Sequence, residues 1–260
     1  MRHLLLAAVA VAAAALAPAS GHAATLIGLT ADNRLVSIDT DTRRASAPVA
    51  IRGVEGRVLG IDQRPANGTL VALTDTAMLY TIDPRTGAAT PLSRLTERAD
   101  LGGRAVVDVN PTVDRLRVIG VNGMNLRINM DTGATLVDGA IKYADGDRNA
   151  GTMPRVTAGA YTNSVKGATQ TALYTIDTLL GSFNLQAPPN DGMQQSKASL
   201  GMSLPPATAF DILADGDGGN RGFVLANGTL HRLDVQTGAL SVVGPVANLP
   251  GEIIDIAAMR

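Results

Sequence analysis

The sequence repeats a unit of short strand-like segments separated by turn residues, and its fullest copy runs from Leu59 to Thr90. In that copy, residues 59–62, 69–73 and 78–83 each resemble a strand, because apolar and β-branched residues are bounded by turn-forming ones. Asn67-Gly68 supplies the positive φ that a tight turn requires. Variants of the unit recur along the chain, so the sequence predicts an all-β fold built from repeats.

An acid or amide at the end of the predicted third strand marks the register of each copy. These markers are Asp39, Asp83, Asn129, Asp177 and Asp234, at spacings of 44 to 57 residues. A period in the forties with four short strands per repeat is typical of β-propeller blades. The longest interval follows Asp177, and we attribute it to an insertion at residues 187–206, which is rich in Pro, Asn, Gly and Ser.

The two ends of the repeat series complement each other. The first copy, residues 25–39, lacks its first strand, whereas residues 252–257 resemble a first strand with nothing after it. Pairing these segments would close the ring and remove an exposed sheet edge. The sequence therefore predicts that residues 25–260 form a single five-bladed β-propeller, closed by the C-terminal strand pairing with the first blade.

Residues 1–24 have the pattern of a signal peptide. A basic start precedes the apolar run Leu4–Leu16, which is shorter than the roughly 20 residues of a membrane helix. Small residues follow, and they favour cleavage near Ala23 or Ala24. No second apolar segment is long enough to span a bilayer, and the sequence has no cysteine for a lipid anchor or disulfide. We expect a periplasmic or extracellular mature chain without a membrane span.

Charge and composition restrict the partner. The formal net charge is −1, and the chain has three Phe, four Tyr and no Trp. A nucleic-acid partner is excluded, because phosphate backbones require a basic stripe and bases require aromatic platforms. The shortage of aromatic residues also argues against a sugar-binding site. We expect the partner to be an unidentified protein or surface polymer.

Histidine and cysteine limit the possible chemistry. After cleavage, His231 is the one histidine left, and with no cysteine a zinc site lacks ligands. A serine–histidine–acid mechanism would have to use His231, yet this residue fits a strand position that packing explains. No phosphate-binding loop or dinucleotide fingerprint appears. No cofactor is evident, with Ca²⁺ as the one candidate.

That candidate rests on an acid that recurs in the predicted first strands. The column reads Asp62, Asp108, Ala160, Asp211 and Asp255. First strands line the channel of a propeller, so four carboxylates could converge near one mouth, raise one another's pKa and recruit a hard cation. Alternatively, each Asp accepts hydrogen bonds from its own turn, and we favour this interpretation.

Two acidic loops also resemble cation-binding loops. Residues 145–149 place Asp145, Asp147 and Asn149 at alternate positions, and residues 215–220 are similar. Neither loop has the glycine and bidentate glutamate of an EF-hand, and a solvated turn is the commoner explanation. We retain Asp145 and Asp147 as metal candidates beside the channel acids.

The third copy has the most polar strands. Arg115 and Arg117 are two residues apart and share one face of a strand. With Asn125 and Arg127 they are the binding candidates, because arginines presented in this way can receive a carboxylate or phosphate. Alternatively, they pair with acids in a buried network between blades, which is the interpretation that we favour. The nearby acids are Asp108, Asp114 and Asp131.

Several motifs resemble those of a secreted bacterial family known as a domain of unknown function. They are G-I-D-Q-R-P, L-Y-T-I-D-P-R-T-G, V-D-V-N-P-T-V-D-R-L-R-V, N-L-R-I-N, Y-A-D-G-D-x-N-A-G and A-P-P-N-D-G. The resemblance covers nearly the whole chain after the signal peptide. It implies a propeller-like fold and export, and it implies no catalytic or binding residue. The fourth copy departs most, with Ala160 in place of the acid.

The sequence therefore favours an exported, non-catalytic β-propeller that acts as a binding or interaction module. The alternative is a hydrolase on a propeller scaffold, with or without a bound cation, that uses carboxylates at the channel mouth. Fold alone does not decide between them.

Overall fold

The structure, a computed structural model, describes residues 24–260 and contains 22 strands and one short 3₁₀ helix, Pro189–Asp191. The predicted signal peptide lies outside these residues, apart from Ala24. No helix in the described part of the chain is long and apolar enough to cross a membrane. In chain order the strands are β1 (Thr25–Thr30), β2 (Arg34–Asp39), β3 (Arg44–Ala45), β4 (Val49–Ala50), β5 (Val58–Gln63), β6 (Leu70–Thr74), β7 (Met78–Ile82), β8 (Ala89–Arg94), β9 (Ala105–Asn110), β10 (Arg115–Gly120), β11 (Asn125–Ile128), β12 (Thr135–Val137), β13 (Lys142–Tyr143), β14 (Val156–Tyr161), β15 (Leu173–Asp177), β16 (Ser182–Gln186), β17 (Met193–Ser199), β18 (Ala209–Ala214), β19 (Asn220–Ala226), β20 (Thr229–Leu233), β21 (Leu240–Pro245) and β22 (Ile253–Met259).

The strands form five sheets arranged in a ring, which confirms the prediction of an all-β, five-bladed propeller. Blade 1 has the strand order β22-β1-β2-β3, with β4 also paired to β2, and blade 2 is β5-β6-β7-β8. Blade 3 is β9-β10-β11-β12, blade 4 is β14-β15-β16-β17-β13, and blade 5 is β18-β19-β20-β21. The first strand of each blade packs against the first strands of both neighbouring blades around a central channel.

The C-terminal strand closes the ring as predicted. β22 pairs antiparallel with β1, with Gly28 opposite Ile256 and Thr25 opposite Met259. Ile256 is 2% exposed and lies in one core cluster with Val36 of β2 and Phe223 of blade 5. The closing strand is thus part of the hydrophobic core that joins the first and last blades.

Blade 4 differs from the predicted register. Asp177 ends β15, the second strand of its blade, so the assignment of Asp177 to a third strand is wrong. Residues 187–206 are not an insertion either, because they contain β17, the fourth strand. The additional residues of this blade lie earlier in the chain, where β13 pairs parallel with β17 and adds a fifth strand.

The sequence pattern explains this error. The letters L-Y-T-I-D occur both at residues 79–83, in a third strand, and at residues 173–177, in a second strand. Second and third strands are both buried on two faces of a blade and share the same residue preferences. Pairing with neighbours, which local sequence does not encode, decides between them.

The closing strand yields a stability prediction. Ile256→Ala should lower the free energy of unfolding by about 2–5 kcal/mol, as expected for an aliphatic side chain truncated in a packed core. Val242→Ala is the control, because Val242 is 72% exposed and its truncation should cost no more than about 0.5 kcal/mol. Urea unfolding of both variants measures the difference. An effect of Ile256→Ala no larger than that of the control would mean that β22 does not close the ring.

Candidate functional site

Three of the predicted channel acids occupy equivalent positions in their blades. Asp62 pairs with Val71 of the second strand, and Asp108 and Asp211 occupy the same register in blades 3 and 5. Ala160 takes this position in blade 4, as predicted. In blade 1 the position belongs to Ala257, so the alignment of Asp255 with the other acids is wrong by two residues.

Four Asp carboxylates connect neighbouring first strands. Each accepts a hydrogen bond from a backbone N–H of the first strand of the next blade. The pairs are Asp62 Oδ2 with Val109 N at 2.7 Å, Asp108 Oδ1 with Tyr161 N at 3.0 Å, Asp211 Oδ2 with Ala258 N at 2.5 Å, and Asp255 Oδ2 with Ile61 N at 2.8 Å. Four of the five junctions between blades are bridged in this way, and the exception is the junction at Ala160.

Three of these carboxylates also accept a hydrogen bond within their own strand. Gln63 N donates to Asp62, Ile212 N donates to Asp211, and Ile256 N donates to Asp255. The favoured interpretation, in which each acid bonds to its own turn, is wrong: these bonds lie within a strand, and Asp108 has none of them. The bond that all four acids share is the one to the neighbouring blade.

Gly60 makes room for one of these bridges. A Cβ atom at this position would lie 2.8 Å from Asp255 Oδ2 and 2.6 Å from Val107 Cγ2. Both distances are too short for a side chain in a packed interior. The close approach of β22 to β5, which lets Ile61 N reach Asp255, therefore depends on the glycine.

The structure brings Asp62, Asp108 and Asp211 together: one oxygen of each lies within 4.8 Å of the others. All three are buried, with 3–6% of each residue exposed. Burial raises the pKa of Asp211 to about 7. Burial also raises the pKa of Asp62 and Asp108, and their negative neighbours raise it further. This acid layer lies inside the channel rather than at an open mouth.

The other metal candidates lie apart from the acid layer. Burial raises the pKa of Asp255 while the nearby Arg104 guanidinium opposes the rise, but Asp255 is not one of the three acids within 4.8 Å. Asp147 accepts hydrogen bonds from Ser196 N and Oγ and ties its loop to β17, and Asp145 is exposed. Within residues 24–260, the three acids form the group best placed to share a cation or a proton.

The binding candidates of blade 3 meet at the junction with blade 4. Arg117, 1% exposed, donates from Nη1 to Asn125 Oδ1 and Asp138 Oδ2, both at 2.7 Å. Its Nη2 donates to Asn190 Oδ1 at 2.8 Å, and its Nε donates to the Tyr161 hydroxyl oxygen at 3.3 Å. Arg117 and Asn125 thus belong to a buried polar network that joins two blades.

Arg127 and Arg115 lie at the surface of that network. Arg127 donates from Nε and Nη2 to the two oxygens of Asp138, which raises the pKa of the guanidinium. Arg115 donates from Nη1 to the backbone carbonyls of Val113 and Asp114. Arg115, Arg117 and Arg127 line a cavity of about 170 Å³, which we call the arginine pocket. Its other polar lining residues are Asn110, Tyr161 and Asn190.

Sequence reasoning missed a second arginine between blades. Arg64, in the β5–β6 turn, donates to Asp114 Oδ1 at 2.9 Å and to Asp131 Oδ1 at 2.7 Å, and both acids belong to blade 3. These bonds raise the pKa of Arg64 and lower that of Asp131. Arg64 belongs to the G-I-D-Q-R-P motif, and Asn190 of the arginine pocket belongs to the A-P-P-N-D-G motif. These two motifs therefore marked residues that join neighbouring blades.

His231 lies in β20, is 4% exposed, and its Nδ1 lies 3.1 Å from the carbonyl oxygen of Thr229. The nearest hydrogen-bonding group is therefore in its own strand. This position matches the structural role expected from the sequence.

The family is decided by a sequence comparison. The model of a domain of unknown function, DUF4394, matches residues 22–257. The chain belongs to this family. The resemblance inferred from the motifs is thereby confirmed, and it assigns no activity. No curated protein matches the chain.

Solved structures resemble the DUF4394 chain in fold. A protein of unknown function from Bacteroides thetaiotaomicron VPI-5482 has 16% identity and a TM-score of 0.51, over 92% of this chain and 65% of that one. A protein of unknown function from Bacteroides caccae has 11% identity and a TM-score of 0.49, over 92% and 99%. The β-propeller domain of Cps50 (Swd1) from Myceliophteria thermophila has 12% identity and a TM-score of 0.47, over 86% and 72%. At such identities the first likeness shows the fold alone.

The buried acids predict a pH-dependent stability. A carboxyl whose pKa is raised in the folded state contributes stability that is fully present below the unfolded pKa of about 3.9 and is lost as pH rises through the folded pKa. For Asp211 that folded pKa is about 7. The unfolding temperature should therefore fall between pH 5 and pH 8.

The Asp211→Asn variant tests the origin of this effect. Asn carries no charge, so the fall in unfolding temperature between pH 5 and pH 8 should become shallower. Asp217→Asn is the control, because Asp217 is exposed and should leave the pH profile unchanged. A wild-type unfolding temperature that rises over this range would contradict the prediction.

Proposed function

We propose that the chain is an exported, non-catalytic β-propeller that binds a partner through carboxylate or phosphate groups received in the arginine pocket. The observation behind this proposal is that the polar side chains lining the pocket offer hydrogen-bond donors. Arg115 and Arg127 present partly exposed guanidinium groups, which suit the geometry of carboxylates and phosphates. Arg117 is 1% exposed and holds the lining in place through its bonds to neighbouring side chains.

The amide and hydroxyl groups of the lining support the same chemistry. Asn110 Oδ1 accepts from Thr112, and Asn190 Oδ1 accepts from Arg117. Their amide nitrogens have no acceptor in the part of the chain that the structure describes. The Tyr161 hydroxyl oxygen accepts from Arg117, so its proton is available to donate. A ligand in this pocket therefore has to be an acceptor.

The charges around the arginine pocket also favour an acidic ligand. Asp138 neutralises one of the three guanidinium charges from behind the pocket, where its side chain is 7% exposed. The lining itself contains no acid. Arg64 and, more weakly, Arg115 lower the pKa of Asp131. Asp131 and Asp114 both pair with Arg64. Four guanidinium groups and three carboxylates leave a local charge of 4 − 3 = +1, which favours an anion, since a pocket of low dielectric strengthens charge attraction.

The pocket is too small for a whole polymer. A volume of about 170 Å³ equals roughly six water molecules at 30 Å³ each. It accommodates one carboxylate or phosphate group and the atoms next to it. We therefore infer that the partner, a protein or surface polymer, inserts an acidic end or side group while its remainder lies on the propeller surface.

Export is the part of the proposal that rests on the sequence. The basic start, short apolar run and small residues of residues 1–24 support secretion to the periplasm or beyond. A periplasmic or extracellular propeller meets surface polymers and exported proteins, which are often rich in carboxylates. This location is consistent with a pocket for acidic groups.

The alternative function is a cation-dependent hydrolase that uses the channel acids. Its support is the approach of Asp62, Asp108 and Asp211 to within 4.8 Å. Against it, both oxygens of Asp62 and Asp211 already accept backbone hydrogen bonds. Burial also leaves only 3–6% of each of the three acids exposed to a substrate. We therefore favour a structural role for the acid layer.

The arginine pocket generates a binding prediction. Arg115→Ala should weaken binding of a poly-glutamate peptide by about tenfold, because it removes charge-assisted hydrogen bonds without breaking a buried ion pair. Arg85→Ala is the matched control: its side chain is 88% exposed, and it lies on the same end of the ring in the β7–β8 turn. Calorimetry with poly-glutamate, polygalacturonate and inorganic phosphate identifies the preferred acidic group. If Arg85→Ala weakened binding as much as Arg115→Ala, the binding would be non-specific charge attraction, and the proposal would be overturned.

Calcium tests the alternative function. We expect about 5 mM CaCl₂ to leave the unfolding temperature unchanged, because a ligand that binds only the native state would raise it. A rise that disappears in Asp108→Asn, and persists in Asp145→Asn, would instead support a cation in the acid layer and the hydrolase hypothesis.

A further inference from the structure

A larger cavity lies at the opposite end of the ring from the arginine pocket. It occupies about 520 Å³ between blades 2 and 3, within the roughly 300–1,000 Å³ typical of small-molecule sites. It opens where the first strands begin, beside Arg57 before β5 and Gly103 before β9. None of the sequence motifs pointed to it, because its lining comes from three separate connections.

Leucines form the floor of this cavity, which we call the leucine cavity. Each of them is at most 8% exposed, and all belong to the core cluster that joins blades 2 and 3. They are Leu59, Leu73, Leu95, Leu101 and Leu126. Since the floor belongs to the core of both blades, it is preformed, and an apolar ligand placed on it would lose contact with water.

The rim carries charges of both signs. Arg57 donates from Nη2 to Gly103 O at 2.7 Å, and Arg98 is exposed with no ion pair or hydrogen bond within the described residues. Asp75 Oδ1 accepts from Arg57 N, and Asp100 Oδ1 accepts from Gly102 N. The second oxygen of each acid has no donor within residues 24–260. The rim therefore offers both donors and acceptors to a ligand.

We propose that the leucine cavity binds a short apolar peptide with free termini. The leucine floor would receive aliphatic side chains, Arg98 the terminal carboxylate, and Asp75 or Asp100 the terminal ammonium group. A purely anionic ligand would meet two carboxylates, and a purely cationic one would meet two guanidinium groups. A zwitterion pairs with both, so the rim charges select this class.

The size of the cavity fits a peptide of two or three residues. A volume of 520 Å³ corresponds to a width of about 8 Å, and each extended residue spans at most about 3.5 Å. This site is independent of the arginine pocket, because the two lie at opposite ends of the ring and share no lining residue.

Calorimetry of the full chain with the dipeptide Leu-Leu tests the proposal. We expect saturable binding, weakened about fivefold by Arg98→Ala, as for loss of one exposed ion pair. Ala99→Phe should abolish binding, because Ala99 packs against the leucine cluster and a larger side chain would fill the cavity. Arg52→Ala, another exposed arginine, should have no effect. Arg115→Ala should also have none, which separates this site from the arginine pocket.

Modified peptides test the two charges. N-acetyl-Leu-Leu lacks the ammonium group, Leu-Leu amide lacks the carboxylate, and each should bind several-fold more weakly than Leu-Leu. About 10 mM Leu-Leu is a higher concentration than an ordinary specific site needs for saturation. Absence of binding at this concentration would overturn the proposal. Equal binding of Leu-Leu and its acetylated form, or unchanged binding by Ala99→Phe, would overturn it as well.

Discussion

The first strands of the five blades stand side by side around the channel without forming a common sheet. Their N–H groups along the free edge lack a ladder partner, and a buried N–H without an acceptor costs free energy. The Asp carboxylates supply these acceptors. Each accepts a hydrogen bond from an N–H of the next blade, as Asp62 does from Val109 and Asp211 does from Ala258. The ring therefore depends on a polar interaction in its most buried layer.

This solution has an electrostatic cost. Three carboxyl groups within 4.8 Å cannot all ionise readily. Burial raises the pKa of all three, and the neighbouring acids raise the pKa of Asp62 and Asp108 further. A fourth acid at Ala160 would increase this cost. A carboxylate at position 160 would accept a hydrogen bond from Ile212 N. This N–H already donates to Asp211 within its own strand. The same holds for Ala257 of blade 1, because the equivalent N–H of blade 2, Gln63 N, already donates to Asp62. We infer that alanine occupies the two positions whose facing N–H already has an acceptor, and that it keeps further charge out of the layer.

The sequence predicted the ring, its five blades and its closure, because turn chemistry and period are local signals. It misplaced Asp255 for a physical reason. Side chains alternate across a strand, so a shift by two residues leaves the same face toward the channel and preserves the hydrophobic pattern. The other first strands are joined directly to their second strands by connections of 4 to 11 residues, which limit the register. β22 reaches β1 from the far end of the chain, and no turn fixes its register.

The partners of the polar residues were harder to predict. Arg117 was expected beside Asp108, Asp114 or Asp131, yet its carboxylate partner is Asp138, and Asn190 comes from the next blade. An arginine side chain reaches several turns at once, so its partner depends on how two blades are packed together. The pattern of Arg115 and Arg117 therefore identified a polar region, whereas the geometry of its contacts required the structure.

The acid layer also explains why the two cavities lie between blades and not in the channel. A propeller with an open channel offers its centre as a binding site, but here Asp62, Asp108 and Asp211 fill the channel and are almost fully buried. Space remains at the junctions between blades, where neighbouring sheets diverge. The arginine pocket and the leucine cavity both border blade 3, at opposite ends of the ring. Arg64 and Arg117 join blade 3 to its two neighbours. Arg117 also lines the arginine pocket, so one polar contact both holds the junction of blades 3 and 4 and forms part of the pocket wall.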